Sequence, residues 1–166
     1  MAWAVISLES GAFATTASKQ VPSLKSRALR LLARREHSRE ELRRKLAPKV
    51  EEGEDLDAVL DDLARRGWLS DARFAELTAR AKAGRFGPIK LAHYLRSRGV
   101  DEESIAAGVR AAGNDGVARL ETIWKSRFNT PPANEHDHAR QVRFLQGRGF
   151  VLEEVLRFLK SLEAAR

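Results

Sequence analysis

From Leu24 to Arg35 the apolar positions Leu24, Ala28, Leu31 and Leu32 recur at helical spacing while Arg27, Arg30 and Arg34 fall on another face, which predicts an amphipathic helix with a basic edge. Ser38 and Glu41 have the spacing of a capping box, in which the hydroxyl accepts from the third amide and the carboxylate reaches back, so a second helix starts there and carries Leu42 and Leu46. Pro48 follows that helix. Asp55 is placed to cap a third helix with Leu56, Val59, Leu60 and Leu63 toward the core, and Gly67 supplies its stop. Asp57, Asp61 and Asp62 on this helix raise the question of catalysis or metal binding. Asp61 lies four residues before Arg65 and Asp62 four before Arg66, the spacing of surface ion pairs and not of a metal or acid–base site.

The pattern then continues. Ser70 is placed to cap a helix lined by Phe74, Leu77, Thr78 and Ala81, with Trp68 and Leu69 plugging the seam behind it. Arg85-Phe86-Gly87-Pro88 marks a loop-to-helix boundary, because glycine relaxes the backbone and proline tolerates the first helical turn. It lacks the glycine spacing and the Lys-Ser/Thr of a phosphate-cradling loop. Leu91 and Leu95 follow on the next helix. Val117, Leu120, Ile123, Trp124 and Phe128 open a further helical stretch, Asn129 to Asn134 form a rigid loop, and Asp137 is expected to cap the helix after it. His136 and His138 would point apart on a helix, and spacing fixes no third ligand, so no metal site is expected.

These stretches repeat. Leu95, Gly99, Val100, Ile105 and Val109 correspond to Leu145, Gly149, Phe150, Val155 and Leu159, each 50 positions on. A looser copy lies upstream: Leu42 and Leu46 precede Leu91 and Leu95 by 49, and Val59 and Leu63 precede Ile105 and Val109 by 46. The period is not the 34 residues of tetratricopeptide units. The expectation is an all-α tandem array of three three-helix repeats, over residues 24–70, 71–114 and 115–166, with 1–23 as a poorly ordered leader. Units this small need their neighbours to complete a core, so the array should be elongated or curved, with a long concave surface.

Composition narrows the functional classes. With 166 residues, 43% hydrophobic and 32% charged, the chain is globular, and its longest apolar stretch is too short to span a bilayer. Met1 to Ala17 lacks the basic start of a signal peptide, and Glu9 interrupts its apolar run. The absence of cysteine removes disulfides and thiolate metal sites and fits a cytoplasmic location. No cysteine nucleophile, nucleotide loop or metal-ligand spacing supports an enzyme. The net charge of +7 favours an acidic or polyanionic partner. Lys plus Arg exceed Asp plus Glu by 12 to 10, 8 to 5 and 9 to 7 in the three units, so the surplus belongs to folded units and not to a tail.

Gly67-Trp68-Leu69-Ser70-Asp71-Ala72-Arg73-Phe74-Ala75, then Arg85-Phe86-Gly87-Pro88, then Leu95-Arg96-Ser97-Arg98-Gly99-Val100 resemble, in order and spacing, the core of the bacterial regulatory family RecX. Phe144-Leu145-Gln146-Gly147-Arg148-Gly149-Phe150 is similar to the motif of that family's last repeat, so the resemblance runs from about Leu24 to Leu162. Pro88-Ile89-Lys90 is one residue shorter than the family's usual spacing, and the Asn129 to Asp137 loop is richer in proline and histidine.

The resemblance implies a non-catalytic modulator of the recombinase RecA, and a monomer without cofactor is expected beside it. It would bind RecA and the RecA–DNA filament and inhibit ATP hydrolysis, strand exchange and coprotease activity toward the SOS repressor. Capping of a growing end and binding along the filament groove both lead to that outcome and stay open here. The candidate contact set is Arg73, Lys82, Arg85, Lys90, Arg96, Arg98, Arg143 and Arg148, with Arg98 and Arg148 as repeat equivalents able to fork onto carboxylates or phosphates. The alternative is a basic helical protein that binds single- or double-stranded DNA and competes for single strands without touching RecA. Phe86 and Tyr94 are its only candidate base platforms, and both are assigned to packing between helices.

Overall fold

The computed structural model describes residues 22–113 and 116–164, and of the leader expected over 1–23 residues 1–21 lie outside them. Ser23 belongs to the fold: its hydroxyl accepts from the Ser26 amide at 3.3 Å and starts α1 (Leu24–Leu32). There follow α2 (Arg39–Leu46), a 3-10 turn (Ala47–Lys49), α3 (Leu56–Arg65), α4 (Asp71–Lys82), α5 (Pro88–Arg96), α6 (Glu102–Ala111), α7 (Gly116–Lys125), α8 (Glu135–Gly147) and α9 (Leu152–Ala164). There is no strand among the described residues, and the chain is a tandem array of three-helix repeats.

Most helix starts are those the sequence marks. Ser38, Asp55 and Ser70, the caps that the spacing marks, accept from the amides of Glu41, Ala58 and Arg73 at 3.0 to 3.3 Å, and Asp101 caps α6 in the same way, accepting from Ser104 at 2.9 Å. Pro88 takes the first turn of α5 behind Gly87. Two details differ. Asn134, not Asp137, caps α8, accepting from the Asp137 amide at 2.9 Å. The capping box at Ser38 is only half formed, because Glu41 turns its carboxylate to Arg35 at 2.6 Å and to Arg98 at 3.3 Å, where charged donors outcompete a backbone amide.

Three apolar clusters follow one another along the chain. Leu24, Ala28, Leu42, Leu46, Leu60, Leu63 and Leu69 form the first; Phe74, Ala75, Leu95, Val100 and Ile105 the second. Leu120, Ile123, Trp124, Leu145, Phe150, Val155, Phe158 and Leu159 form the third. Within the third, the Trp124 indole donates to Gln141 Oε1 at 2.6 Å, and Gln141 in turn donates to the Thr130 carbonyl at 3.2 Å, so the buried polar atoms are satisfied. On α4 the inner stripe is Phe74, Ala75 and Ala79, while Leu77 is exposed. Leu69 enters the first core, but Trp68 stays 45% exposed, with Lys25 and Arg66 over its ring at 5.9 and 5.5 Å, and plugs no seam. Asp62 pairs with Arg66 at 2.9 Å as its spacing suggests, whereas Asp61 reaches across to Arg39 at 2.7 Å and Asp57 to Arg43. Hydrogen bonds from Lys25 and then Arg66 lower the Asp62 pKa to about 2.

The clusters meet at two joints built alike. After α5 the Val100 amide donates back to the Leu95 carbonyl at 3.3 Å around Gly99, and after α8 the Phe150 amide donates to Leu145 at 3.3 Å around Gly149. Both glycines sit at positive φ, +74° and +94°. Each turn presses on the start of an earlier helix: a Cβ on Gly99 would stand 2.5 Å from Glu40 Cβ, and one on Gly149 2.5 Å from the Lys90 backbone nitrogen. In the first joint Ser38 Oγ donates to the Arg98 carbonyl at 2.6 Å, and the Arg39 amide donates to Asp71 at 2.7 Å. In the second, the amides of Gly87 and Ile89 donate to the carbonyls of Arg148 and Gly149 at 2.7 and 3.1 Å.

Glu41 makes the first joint pH-sensitive. Hydrogen bonding to Arg35, opposed by burial, holds its carboxyl below the ordinary value of 4.5. A depressed folded value contributes stability that is fully present above the unfolded pKa and lost as pH falls through the folded one. The thermal midpoint should therefore drop on acidification below about pH 4.5. Glu41→Gln should cost about 2 kcal/mol at pH 7 in a denaturant melt, the scale of charged hydrogen bonds, and should flatten that acid limb.

Candidate interaction surface

Lys82 ends α4, Arg85 and Phe86 lie in the following loop, and Tyr94 and Arg98 sit one turn apart at the end of α5. Helical spacing of four places Arg98 back over its own helix, and its guanidinium lies over the Tyr94 ring at 4.9 Å. Lys82 Nζ lies over the same ring at 4.5 Å and over Phe86 at 5.6 Å. Lys90 Nζ shares the Phe86 ring at 5.1 Å. Lys82, Arg85, Phe86, Tyr94 and Arg98 thus line one cleft of about 380 Å³, whose far wall is Arg35 from the first unit.

The contacts pass into the third unit. Lys90 Nζ donates to the Gly147 carbonyl at 3.0 Å, beside Arg148, whose guanidinium lies over Phe144 at 4.9 Å. Phe144 meets Phe128 edge-on at 5.2 Å, and Arg140 lies over Phe128 at 5.5 Å. Cations and rings therefore run from Arg98 through Tyr94, Lys82 and Phe86 to Lys90 and, beyond the Gly147 carbonyl, from Arg148 through Phe144 and Phe128 to Arg140. Each such contact at a partly exposed site contributes about 0.5–1 kcal/mol, which holds the long side chains in place before any partner arrives. Preordered cations forfeit less entropy on binding than free ones.

The eight candidate residues sort by their partners. Lys82, Arg85, Lys90, Arg98 and Arg148 belong to this strip or its cleft. Arg73 is engaged with Glu36 at 2.9 Å, and Arg96 forks onto Glu102 at 2.6 and 2.8 Å. Arg143 is exposed on α8 and makes no ion pair among the described residues. Sequence reasoning missed Arg35, Arg127, Phe128, Arg140 and Phe144, and the last four line a smaller cleft. Phe86 and Tyr94 are half-buried, but cations, not helices alone, pack on them. A signal for part of this was present: an aromatic residue followed four positions on by arginine occurs at Tyr94–Arg98 and at Phe144–Arg148, in the same place of two repeats.

No helix among the described residues is long and apolar enough to cross a membrane. The strip offers guanidinium and ammonium donors beside apolar ring edges, a combination that takes up oxyanions, whether carboxylate or phosphate.

Comparison with known proteins places this architecture. A family model of the first three-helix domain of RecX matches residues 25–63, and one of the second three-helix domain matches residues 70–109. The regulatory protein RecX of Ralstonia pickettii is 42% identical over 145 residues, covering 87% of this chain and 91% of that protein. That of Leptothrix cholodnii is 44% identical over 138 residues, covering 81% and 88%. That of Neisseria meningitidis serogroup B is 37% identical over 142 residues, covering 86% and 92%. The crystal structure of RecX from Lactobacillus salivarius has the same fold, with a TM-score of 0.73 at 16% identity over 85% of this chain and 95% of that one.

Proposed function

The chain belongs to the RecX family of regulatory proteins, and on that premise we propose that it binds the recombinase RecA and its nucleoprotein filament and inhibits ATP hydrolysis, strand exchange and coprotease activity. It acts in the cytoplasm, as a monomer of three units over residues 24–70, 71–114 and 115–166, without catalysis of its own. What supports this reading on the protein itself is the strip of preordered cations and rings. It runs through the second and third units and offers more contact length than a small metabolite would use. Lys82, Arg85, Lys90, Arg98 and Arg148 are its central contacts, and Arg73, Arg96 and Arg143 are peripheral.

The test is the single-stranded-DNA-dependent ATPase of the cognate RecA, titrated with this protein beside its binding to bare oligothymidylate at two salt concentrations. Inhibition is expected at protein levels well below those of RecA, with weak, salt-sensitive binding to bare DNA. Inhibition that sets in only when the protein saturates the DNA would make strand competition the mechanism. No inhibition at any level would remove RecA from the account.

A further inference from the structure

The two joints share one plan and differ in their charges: the first holds Arg35 and Glu41, and 49 positions on stand Gly84 and Lys90. In the first, Arg98 is stacked on Tyr94 at 4.9 Å and receives a carboxylate from the preceding unit, Glu41 Oε1 at 3.3 Å. That carboxylate is well seated, with a side chain only 7% exposed and a second guanidinium, Arg35, at 2.6 Å. Arg148 is stacked on Phe144 at the same 4.9 Å, on the equivalent turn. By sequence spacing Ser38 corresponds to Gly87, Leu42 to Leu91 and Leu46 to Leu95, all 49 apart, which sets Lys90 at the place of Glu41; in the packing of the two turns Gly99 meets Glu40 and Gly149 meets Lys90, so by either register an acid of the first joint is a lysine in the second.

The second joint therefore reproduces the ring, the guanidinium and the turn, and has an ammonium where the first has a carboxylate. Lys90 Nζ reaches the Gly147 carbonyl, one residue before Arg148, and Arg148 has no ion-pair partner among the described residues. Both cations stand at one turn, and no ion pair among the described residues neutralises either, so an anion bound there would meet two unpaired positive charges. We propose that this second joint is a receptor for a carboxylate from outside the chain, an aspartate or glutamate side chain on a protein partner, gripped by Arg148 and Lys90. The chain's own Glu41 is the template for that occupant: one carboxylate, offered by a neighbouring folded unit and closed over by a stacked arginine. A nucleic-acid strand, by contrast, would need no such single seat. The proposal rests on the reading above only in taking RecA as the partner.

Lys90→Glu tests it, because the substitution places the carboxylate of the first joint in the second. The introduced carboxylate should pair with Arg148, titrate below the ordinary glutamate range by NMR, and leave the thermal midpoint at or above that of the wild type. Binding of the full chain to RecA filaments should weaken at least tenfold, while affinity for bare oligothymidylate should change less than threefold. Arg148→Gln, which adds no internal pair, should give the same loss toward filaments. Normal filament binding by either variant, or equal losses toward filaments and bare oligothymidylate, would overturn the proposal, the latter assigning the site to phosphates. Should the wild type fail to engage RecA at all, the proposed function falls, and titration of the introduced carboxylate still decides the receptor: a low value supports it and an ordinary value sinks it.

Discussion

Gly149→Ala should lower the free energy of unfolding by about 3 kcal/mol in a urea melt, the sum of roughly 1 kcal/mol for a left-handed backbone and about 2 kcal/mol for overpacking. The φ of +94° accounts for the first part. The second arises because the new methyl would lie 2.5 Å from both the backbone nitrogen and the Cβ of Lys90, neither of which can swing away as a flexible side-chain end would. Gly147, two residues earlier, gives the contrast. It ends α8, and a methyl added there would meet nothing within 4 Å, so Gly147→Ala should shift stability by less than about 1 kcal/mol, in the stabilising direction. Equal losses for the two variants would mean that the turn does not carry the joint.

The largest functional effect is expected for Lys82→Glu combined with Arg148→Glu. Lys82 is the only cation on the strip that touches two rings, at 4.5 Å from Tyr94 and 5.6 Å from Phe86 among the described residues, and Arg148 stands at the crossing into the third unit. Reversing both should raise the concentration for half-inhibition of the RecA ATPase at least tenfold, which corresponds to about 1.4 kcal/mol. Circular dichroism should be unchanged, because neither residue contributes a buried carboxylate pair. Arg157→Glu on α9 is the control: among the described residues Arg157 pairs only with Glu153, on its own exposed face, and inhibition should stay within twofold. A double variant that inhibits normally would take the strip out of the mechanism.

Helix starts were legible in the sequence wherever the interaction is local. Ser38, Asp55 and Ser70 each bond an amide three residues on, and Pro88 constrains its own turn, so spacing alone suffices. The glycine-ended turns were legible because they recur with the same apolar phase. What was not legible depends on who the neighbour is. Glu41 had the spacing to cap its own helix, but two arginines, one from the next unit, compete for its carboxylate at 2.6 and 3.3 Å. Asp61 had Arg65 at ion-pair spacing, yet Arg39 on another helix holds it. Trp68 looked like core on hydrophobicity alone, but its flat ring serves as a seat for Lys25 and Arg66. The strip followed the same logic: Lys82, Arg98 and Arg148 were marked by charge, while Arg35, Arg127 and Arg140 entered only once folding set them beside rings or clefts.

The way α5 begins has a consequence for synthesis. α2 owns a local cap, since the Ser38 hydroxyl accepts from the Glu41 amide, and its Arg39 amide waits only for Asp71, 32 residues on. α5 has no side-chain cap, and its Gly87 and Ile89 amides are satisfied by carbonyls of Arg148 and Gly149, about sixty residues downstream. A chain emerging from the ribosome can form the cap of α2 as soon as Glu41 is out, but the start of α5 keeps two open donors until Arg148 and Gly149 have been made. The second joint can therefore close only after Gly149 is made, and a ribosome stalled before Arg148 would hold a product whose α5 start still awaits its carbonyls.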